Sequence, residues 1–225
     1  MSNTEKSKSI PFTTPRFKAL WAHLDEPDTK FNPDGVYSTR AVIDPSEPEA
    51  ASFLEFLDRA GELALEQARE EIQGGKLPPP KKKQALESLV LNPPYEPEYD
   101  SNGIETGNVV FKCKTHATRK DADGNEKPVK IAMCDARRNS IDASATKIGN
   151  GSVLRIKGTL RSNYISAQNK AYVTLYIGAV QLIDLVECDG SGFDGFGDEE
   201  TQGEADFKRE EPGNGTFGGE SNGDF

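Results

Sequence analysis

The chain has 225 residues, 27 basic and 37 acidic side chains and a formal charge of -10, with a mean hydropathy of -0.65. That length suits one medium domain with tails, and the longest apolar stretch, Val173 to Val186, is too short and too interrupted by Gln181 and Asp184 to span a bilayer. Met1 to Ser9 lacks the apolar core of a signal peptide and three cysteines cannot make a complete disulfide framework, so a cytoplasmic, reduced protein is expected.

Residues 1–14 read as a flexible N-terminus. Arg16 to Leu24 and Val36 to Ile43 are dense in β-branched and aromatic residues and read as paired strands, and the break between them, Asp25 to Gly35, carries two prolines and a glycine. Ser46, Glu47, Pro48 and Glu49 have the spacing of a capping box. Phe53, Phe56, Leu57, Ala60, Leu63, Ala64 and Ile72 then recur at helical spacing until Gly74 and Gly75, which predicts a helix over 47–73. Residues 76–103 hold Pro78, Pro79, Pro80, the run Lys81, Lys82, Lys83, and Pro93, Pro94 and Pro97, and are expected to form a long excursion outside the core.

Beyond that excursion the pattern is β. Val109 to Ala117 and Val129 to Cys134 flank a hairpin signal at Asp121 to Gly124, and Val153 to Arg161 and Tyr172 to Ile183 form a second pair around 162–171. The expected fold class is all-β with one inserted helix: a small barrel of about five to six antiparallel strands with the helix between strands two and three, occupying residues 15–186. Residues 187–225 contain 12 acids, 2 bases, 10 glycines and no Val, Ile or Leu, and are expected to be a disordered acidic tail. Residues 104–183 hold 13 bases against 6 acids. A basic segment beside an acidic one suggests a self-masking, anion-binding protein.

Strand faces sharpen this idea, because side chains alternate along a strand. Phe111, Cys113 and Thr115 share one face, which Val129, Ile131 and Met133 join if the two segments pair with register numbers of even sum; Lys112, Lys114, His116 and Lys130 then share the other. Leu154, Ile156 and Leu160 alternate with Arg155, Lys157 and Arg161, and Val173, Leu175 and Ile177 with Tyr172, Thr174 and Tyr176. An exterior that mixes cations and tyrosines suits sequence-tolerant binding of a single-stranded nucleic acid, with cations on phosphates and rings on bases. Solvated outer positions filled by β-favouring tyrosines would show the same pattern.

Other chemistry is weaker. Cys113 and His116, with Cys134 or Cys188, have metal-like spacing, but strand positions three apart face opposite ways and Cys134 falls opposite Cys113. Asp121, Asp123 and Glu126 resemble part of a calcium loop, yet a hairpin turn accounts for them. Only His23 and His116 are available as histidine bases, and no nucleophile elbow, phosphate-cradling glycine loop or dinucleotide fingerprint is present. Asp135 and Asp142 leave a weak case for a metal-dependent nuclease. A protein-interaction adaptor or DNA mimic is the rival from another class, and no cofactor is expected.

Four stretches then point to a family. Phe31 to Tyr37 (with Asn32, Pro33, Asp34 and Gly35), the run Phe111, Lys112, Cys113, Lys114, the stretch Ile148 to Ser152 leading into a basic strand, and an acidic tail ending in Asp224 and Phe225 together resemble the single-stranded DNA-binding proteins of short-tailed bacteriophage replisomes. The likeness runs from about residue 15 to the last residue. It implies an oligonucleotide-binding (OB-fold) barrel with a helix between strands two and three, a binding cleft, strand annealing, and a homodimer. It also implies a tail that docks through Asp224 and Phe225 on the phage DNA polymerase and helicase-primase, in the cytoplasm of the infected host. Here the tail is richer in glycine and carries Phe193, Phe196, Phe207 and Phe217, and Asn163 stands where an aromatic is expected, with Tyr164 following. The combined reading is a non-enzymatic single-stranded DNA-binding protein. Lys112, Lys114, Lys130, Arg155, Lys157 and Arg161 are expected to meet phosphates, and Tyr164, Tyr172 and Tyr176 to stack on bases; Trp21 either joins them or lies in the core, which its β pattern slightly favours.

Overall fold

Residues 9–30, 32–121 and 124–187 are described by the computed structural model. The expectations for Phe31, Asp123, Cys188 and the acidic segment with Asp224 and Phe225 lie outside the described residues. Strands β1 (Ile10–Thr13), β2 (Phe17–Asp28) and β3 (Val36–Ile43) lead into helices α1 (Pro48–Gly74) and α2 (Pro79–Glu87). After β4 (Val90–Leu91) and β5 (Tyr95–Tyr99) come β6 (Glu105–His116), β7 (Thr118–Lys120), β8 (Glu126–Pro128), β9 (Ala132–Cys134) and β10 (Ser140–Ile141). A 3-10 turn at Ala143–Ala145 precedes a long hairpin of β11 (Val153–Ile165) and β12 (Lys170–Asp184).

The described residues are thus mostly β with two helices inserted after β3. The large sheet has ten strands: β2 pairs antiparallel with β3, β3 with β6, β11 with β12, and β11 also with β1 and β2. β7 and β8 form a separate two-stranded sheet. Not every pairing is antiparallel, as was expected: β12 runs parallel to β4, β6 and β9. Nor does the segment Val129 to Cys134 pair with β6, because β3 takes one edge of β6 and β5 and β12 take the other. The even-sum hairpin register does occur, displaced to β7 and β8, where Thr118 faces Pro128 and Lys120 faces Glu126.

Local chemistry explains the helices. Pro48 occupies the first turn of α1, where a missing N–H is harmless, and Glu49 puts an acid at the positive end. No capping box forms: Ser46 donates from both its N–H and its hydroxyl to Asp44 Oδ1, at 2.8 and 2.7 Å, and Glu47 caps the helix without a side-chain bond. No residue of the excursion over 76–103 is buried, but the segment carries regular structure: Pro79 starts α2 just as Pro48 starts α1, and β5 extends the sheet at β6.

The core is an aromatic knot. Phe53 of α1 lies 6.1 Å from Phe12 and 5.2 Å from Phe111, and Phe111 lies 6.1 Å from Phe17 (ring centroids). Room for these rings comes from Ala19 and Ala41, which face each other in register and are fully buried. Along α1 the buried stripe is Ala50, Phe53, Leu54, Leu57, Ala60, Gly61, Ala64, Ala68 and Ile72, whereas Leu63, expected inside, is exposed. Gly61, Ala64 and Ala68 make a small-residue ridge on which Leu91, Ala171 and Tyr164 sit.

Between β11 and β12 the register shifts after Lys157. A Cβ on Gly158 would collide with the Tyr176 carbonyl oxygen, and one on Gly178 would lie 3.1 Å from the Lys157 carbonyl oxygen. Gly158 is therefore demanded by the close approach of backbones, and Gly178 is tightly fitted against the same strand. Gly158→Ala is expected to cost about 2–3 kcal/mol, at the upper end of overpacking penalties, measured by urea unfolding; an unchanged midpoint would show that the strands separate here.

Candidate nucleic-acid interface

Residues paired in register share a face, so the sheet's outer surface can be assembled strand by strand. One row runs from Thr159 to Tyr176, Lys114, Ser38 and His23, each the register partner of the next. A second region pairs Arg161 with Thr174, and Lys112 with Arg40, which in turn faces Leu20. The opposite face holds the buried Cys113, Leu175 and Leu160. Two guanidinium–ring contacts stand on the outer surface: Arg161 lies 5.5 Å from the centroid of Tyr176 and Arg40 lies 4.9 Å from that of Trp21. Such contacts hold a cation beside an aromatic ring at a stabilisation of about 0.5–1 kcal/mol each.

Trp21 is 59% exposed, so the core assignment is overturned. The cause is local: the β2 register breaks between Leu20 and His23, and Trp21 there adopts φ 48°, which lifts its ring out of the strand's alternation. A left-handed backbone costs an ordinary residue roughly 1–2 kcal/mol. It is held in place by its N–H donating to Asn150 Oδ1 at 2.7 Å. Asn150 is fixed in turn by its neighbours, as Gly149 N–H donates to Val186 O and Gly151 N–H to Ala19 O. The buried Ser152 hydroxyl donates to Gly149 O and accepts from Val186 N–H.

The structure brings together Lys112, Lys114, Arg161 and Tyr176 from the expected set. Tyr172 joins their face as the register partner of Asn163, and Lys157 is exposed just before the register shift with β12. Thr174, expected outside, is buried and accepts from Asn163 Nδ2 at 3.2 Å. Three other residues are placed elsewhere. Arg155 is turned toward the start of α1, its Nε donating to Thr14 O at 3.1 Å and its guanidinium 3.5 Å from Glu49. Lys130 lies between β8 and β9 and lines a different recess, with Leu24, Asp25, Tyr37 and Asp142. Tyr164 has the parity of the inward Leu160 and faces the buried Ala171; it packs on Ala64 and Ala68 and donates its hydroxyl to Asn169 Oδ1 at 2.7 Å. Burial first, then the Glu71 carboxylate, pushes its phenol up. Arg40 was missed, although Ser38 and Arg40 alternate with Tyr37, Thr39 and Ala41 and so declared an outward face.

The residues weighed for catalysis and metal binding have other partners. Asp135 is held below the usual carboxylate range by the Asn139 side chain and backbone N–H, and Asp142 by the Ser144 hydroxyl and N–H; both carboxylates cap turns. Asp121 Oδ2 meets Lys127 Nζ at 3.1 Å and Glu126 pairs with Lys120 at 4.0 Å across the hairpin. Cys113 is buried, which pushes its thiol up, while His116 is exposed on the opposite face. Among the described residues no group of three His, Cys, Asp or Glu is placed to hold a metal ion, and no helix is long and apolar enough to cross a membrane.

These placements separate structural from surface tyrosines. Tyr164→Ala should cost about 2–4 kcal/mol in chemical denaturation, as an aromatic truncation under a helix does. Tyr176→Ala should cost less than about 1 kcal/mol; equal losses would put both rings in the core.

Comparison with known proteins gives the family and the fold. A family model described as single-stranded DNA-binding protein, bacteriophage T7, matches residues 18–185. The single-stranded DNA-binding protein of Enterobacteria phage T3 is 26% identical over 190 residues, covering 81% of this chain and 79% of its own length. That of Escherichia phage T7 is 27% identical over 169 residues, covering 75% of this chain and 69% of its own. In fold, the chain is similar to the crystal structure of gp2.5, a single-stranded DNA-binding protein encoded by bacteriophage T7, with a TM-score of 0.62 at 22% identity over 86% of this chain and 98% of that one.

Proposed function

Because the chain belongs to the single-stranded DNA-binding protein family of bacteriophage T7, we propose that it is a non-enzymatic binder of single-stranded DNA that serves phage replication and recombination. The observation that carries the reading is the outer sheet face on which Arg40 lies over Trp21 and Arg161 over Tyr176, with Lys112 and Lys114 between them in register. Exposed rings take bases only when those bases are unstacked from a duplex, and the flanking cations neutralise phosphates whatever the sequence. The proposed contacts are Arg40, Lys112, Lys114, Lys157 and Arg161 for phosphates and Trp21, Tyr172 and Tyr176 for bases.

The succession of pairings from β2 to β3, β6, β12, β11 and back to β2 supports an OB-type barrel as the binding domain over 15–186, with both helices inserted in one connection. The acidic segment 187–225, with 12 acids against 2 bases, has the charge of a competitor for the same cations. In this reading DNA displaces it, and it then docks through Asp224 and Phe225 on the phage DNA polymerase and helicase-primase in the host cytoplasm, with the protein acting as a homodimer.

Trp21 is the single tryptophan, so its fluorescence reports on the site directly. An unstructured oligonucleotide should quench it, and affinity should fall about a hundredfold between 50 and 200 mM salt for about five phosphate contacts. Equal affinity for duplex DNA, or a flat salt response, overturns the reading. Truncation after Val186 should tighten DNA binding at low salt and abolish co-purification of replication proteins; a truncated chain unchanged in both respects would leave the acidic segment with neither role.

A further inference from the structure

We propose that the recess between Arg40 and Lys112 is a phosphodiester subsite and that Glu96 occupies it, as a carboxylate stand-in for phosphate, until DNA arrives. The inference rests on the reading of this face as the single-stranded DNA path. Strand β5 adds to the edge of β6 opposite β3, with Glu96 in register with Val110, while Lys112 lies in register with Arg40. From there the Glu96 carboxylate reaches across β6 to within 3.7 Å of the Arg40 guanidinium. The recess measures about 180 Å³, and Pro93, Pro94, Tyr95 and Phe111 complete its walls. That volume is several times the ~30 Å³ share of one liquid water, and two adjacent prolines restrict how far its rim can move.

A guanidinium fork binds carboxylate and phosphate oxygens with the same geometry, so a group that satisfies Arg40 in one state marks where the other would sit. The existing pair is weakly held, because the Arg40 and Glu96 side chains are 45% and 67% exposed. A polyanion that also meets Lys112 and Lys114 displaces it. Arg40 lies over Trp21 as well, so a phosphate seated on Arg40 lies beside the ring that takes the neighbouring base. Glu96 thereby sets a threshold: isolated anions do not outbid it, and a strand that engages several sites does.

The test uses the full chain, an unstructured oligo-dT and fluorescence anisotropy across a salt series. Glu96→Gln should bind two- to fivefold tighter at 50 mM salt than Glu62→Gln, which removes the same charge from the exposed face of α1, and the gain should vanish when Arg40→Gln is combined with it. No gain over Glu62→Gln, or a gain that survives Arg40→Gln, overturns the subsite. A loss of affinity also overturns it, and one confined to oligo-dC would identify a base amino group as the ligand of Glu96. If the unaltered chain does not bind single strands, the functional reading fails; if it binds and responds to Tyr176→Ala while Glu96→Gln is silent, the subsite alone fails.

Discussion

Strand β12 has almost no spare edge. One side pairs with β11 for nearly its whole length, and the other serves β4 near Ala171, β6 near Tyr176 and β9 near Val180 in succession. A strand engaged on both edges has its faces fixed, and every partner inherits its phase. Ahead of the bulge the odd-numbered Ala171, Leu175 and Ile177 are buried; beyond it the even-numbered Val180 and Leu182 are. Gly178 is the residue at which the phase changes, and the backbone approach at Gly158 is what lets the two strands bend together there. The position of Tyr176 on the outer face follows from that single irregularity.

The helices free the outer surface for its task. Phe53 of α1 fills the core beside Phe12 and Phe111, so the strands need not spend both faces on packing. At the far end of the hairpin, Asn169 is held in a left-handed turn at φ 51°. Its Nδ2 donates to Ala85 O and Ser88 Oγ, and its Oδ1 accepts from Tyr164. The end of α2 is thus bound to the tip of the hairpin, and Tyr164 is the pin between them rather than a ligand-facing ring.

Periodic elements could be read in advance. Val36–Ile43, the α1 stripe, and the alternation of Lys112, Lys114, Arg161 and Tyr176 with aliphatics all follow from spacing alone, because burial imposes the period. Trp21 could not, since a break in register between Leu20 and His23 leaves no trace in a pattern of residue types. Tyr164 failed for the converse reason. Its parity with Leu160 was visible, but an expected aromatic position displaced by one residue sends the side chain to the other face. The pairing of Val129–Cys134 depended on which distant strand had already taken the edge of β6, and α2 was hidden by prolines that break helices inside but begin them at the first turn. Arg155 sat on the anticipated strand, yet its long side chain reached the carbonyl of Thr14 and the carboxylate of Glu49.

The register of β1 with β11, Ile10 opposite Leu160 and Thr13 opposite Lys157, has a bearing on how the chain is made. β1 leaves the ribosome long before its partner β11, and β2 likewise waits for Leu154 to meet Phe17. During synthesis β2 and β3 can form their local hairpin and α1 can coil, while the edge that β11 will cover stays open to other strands. Folding of this kind is governed by distant closures and is slow compared with local pairing, and the exposed edge is vulnerable to misassembly in the interval. A nascent chain stalled before Val153 therefore holds β1 without a mate and β2 with one edge open, and the hairpin of β11 and β12 is the event that commits the molecule to its final form.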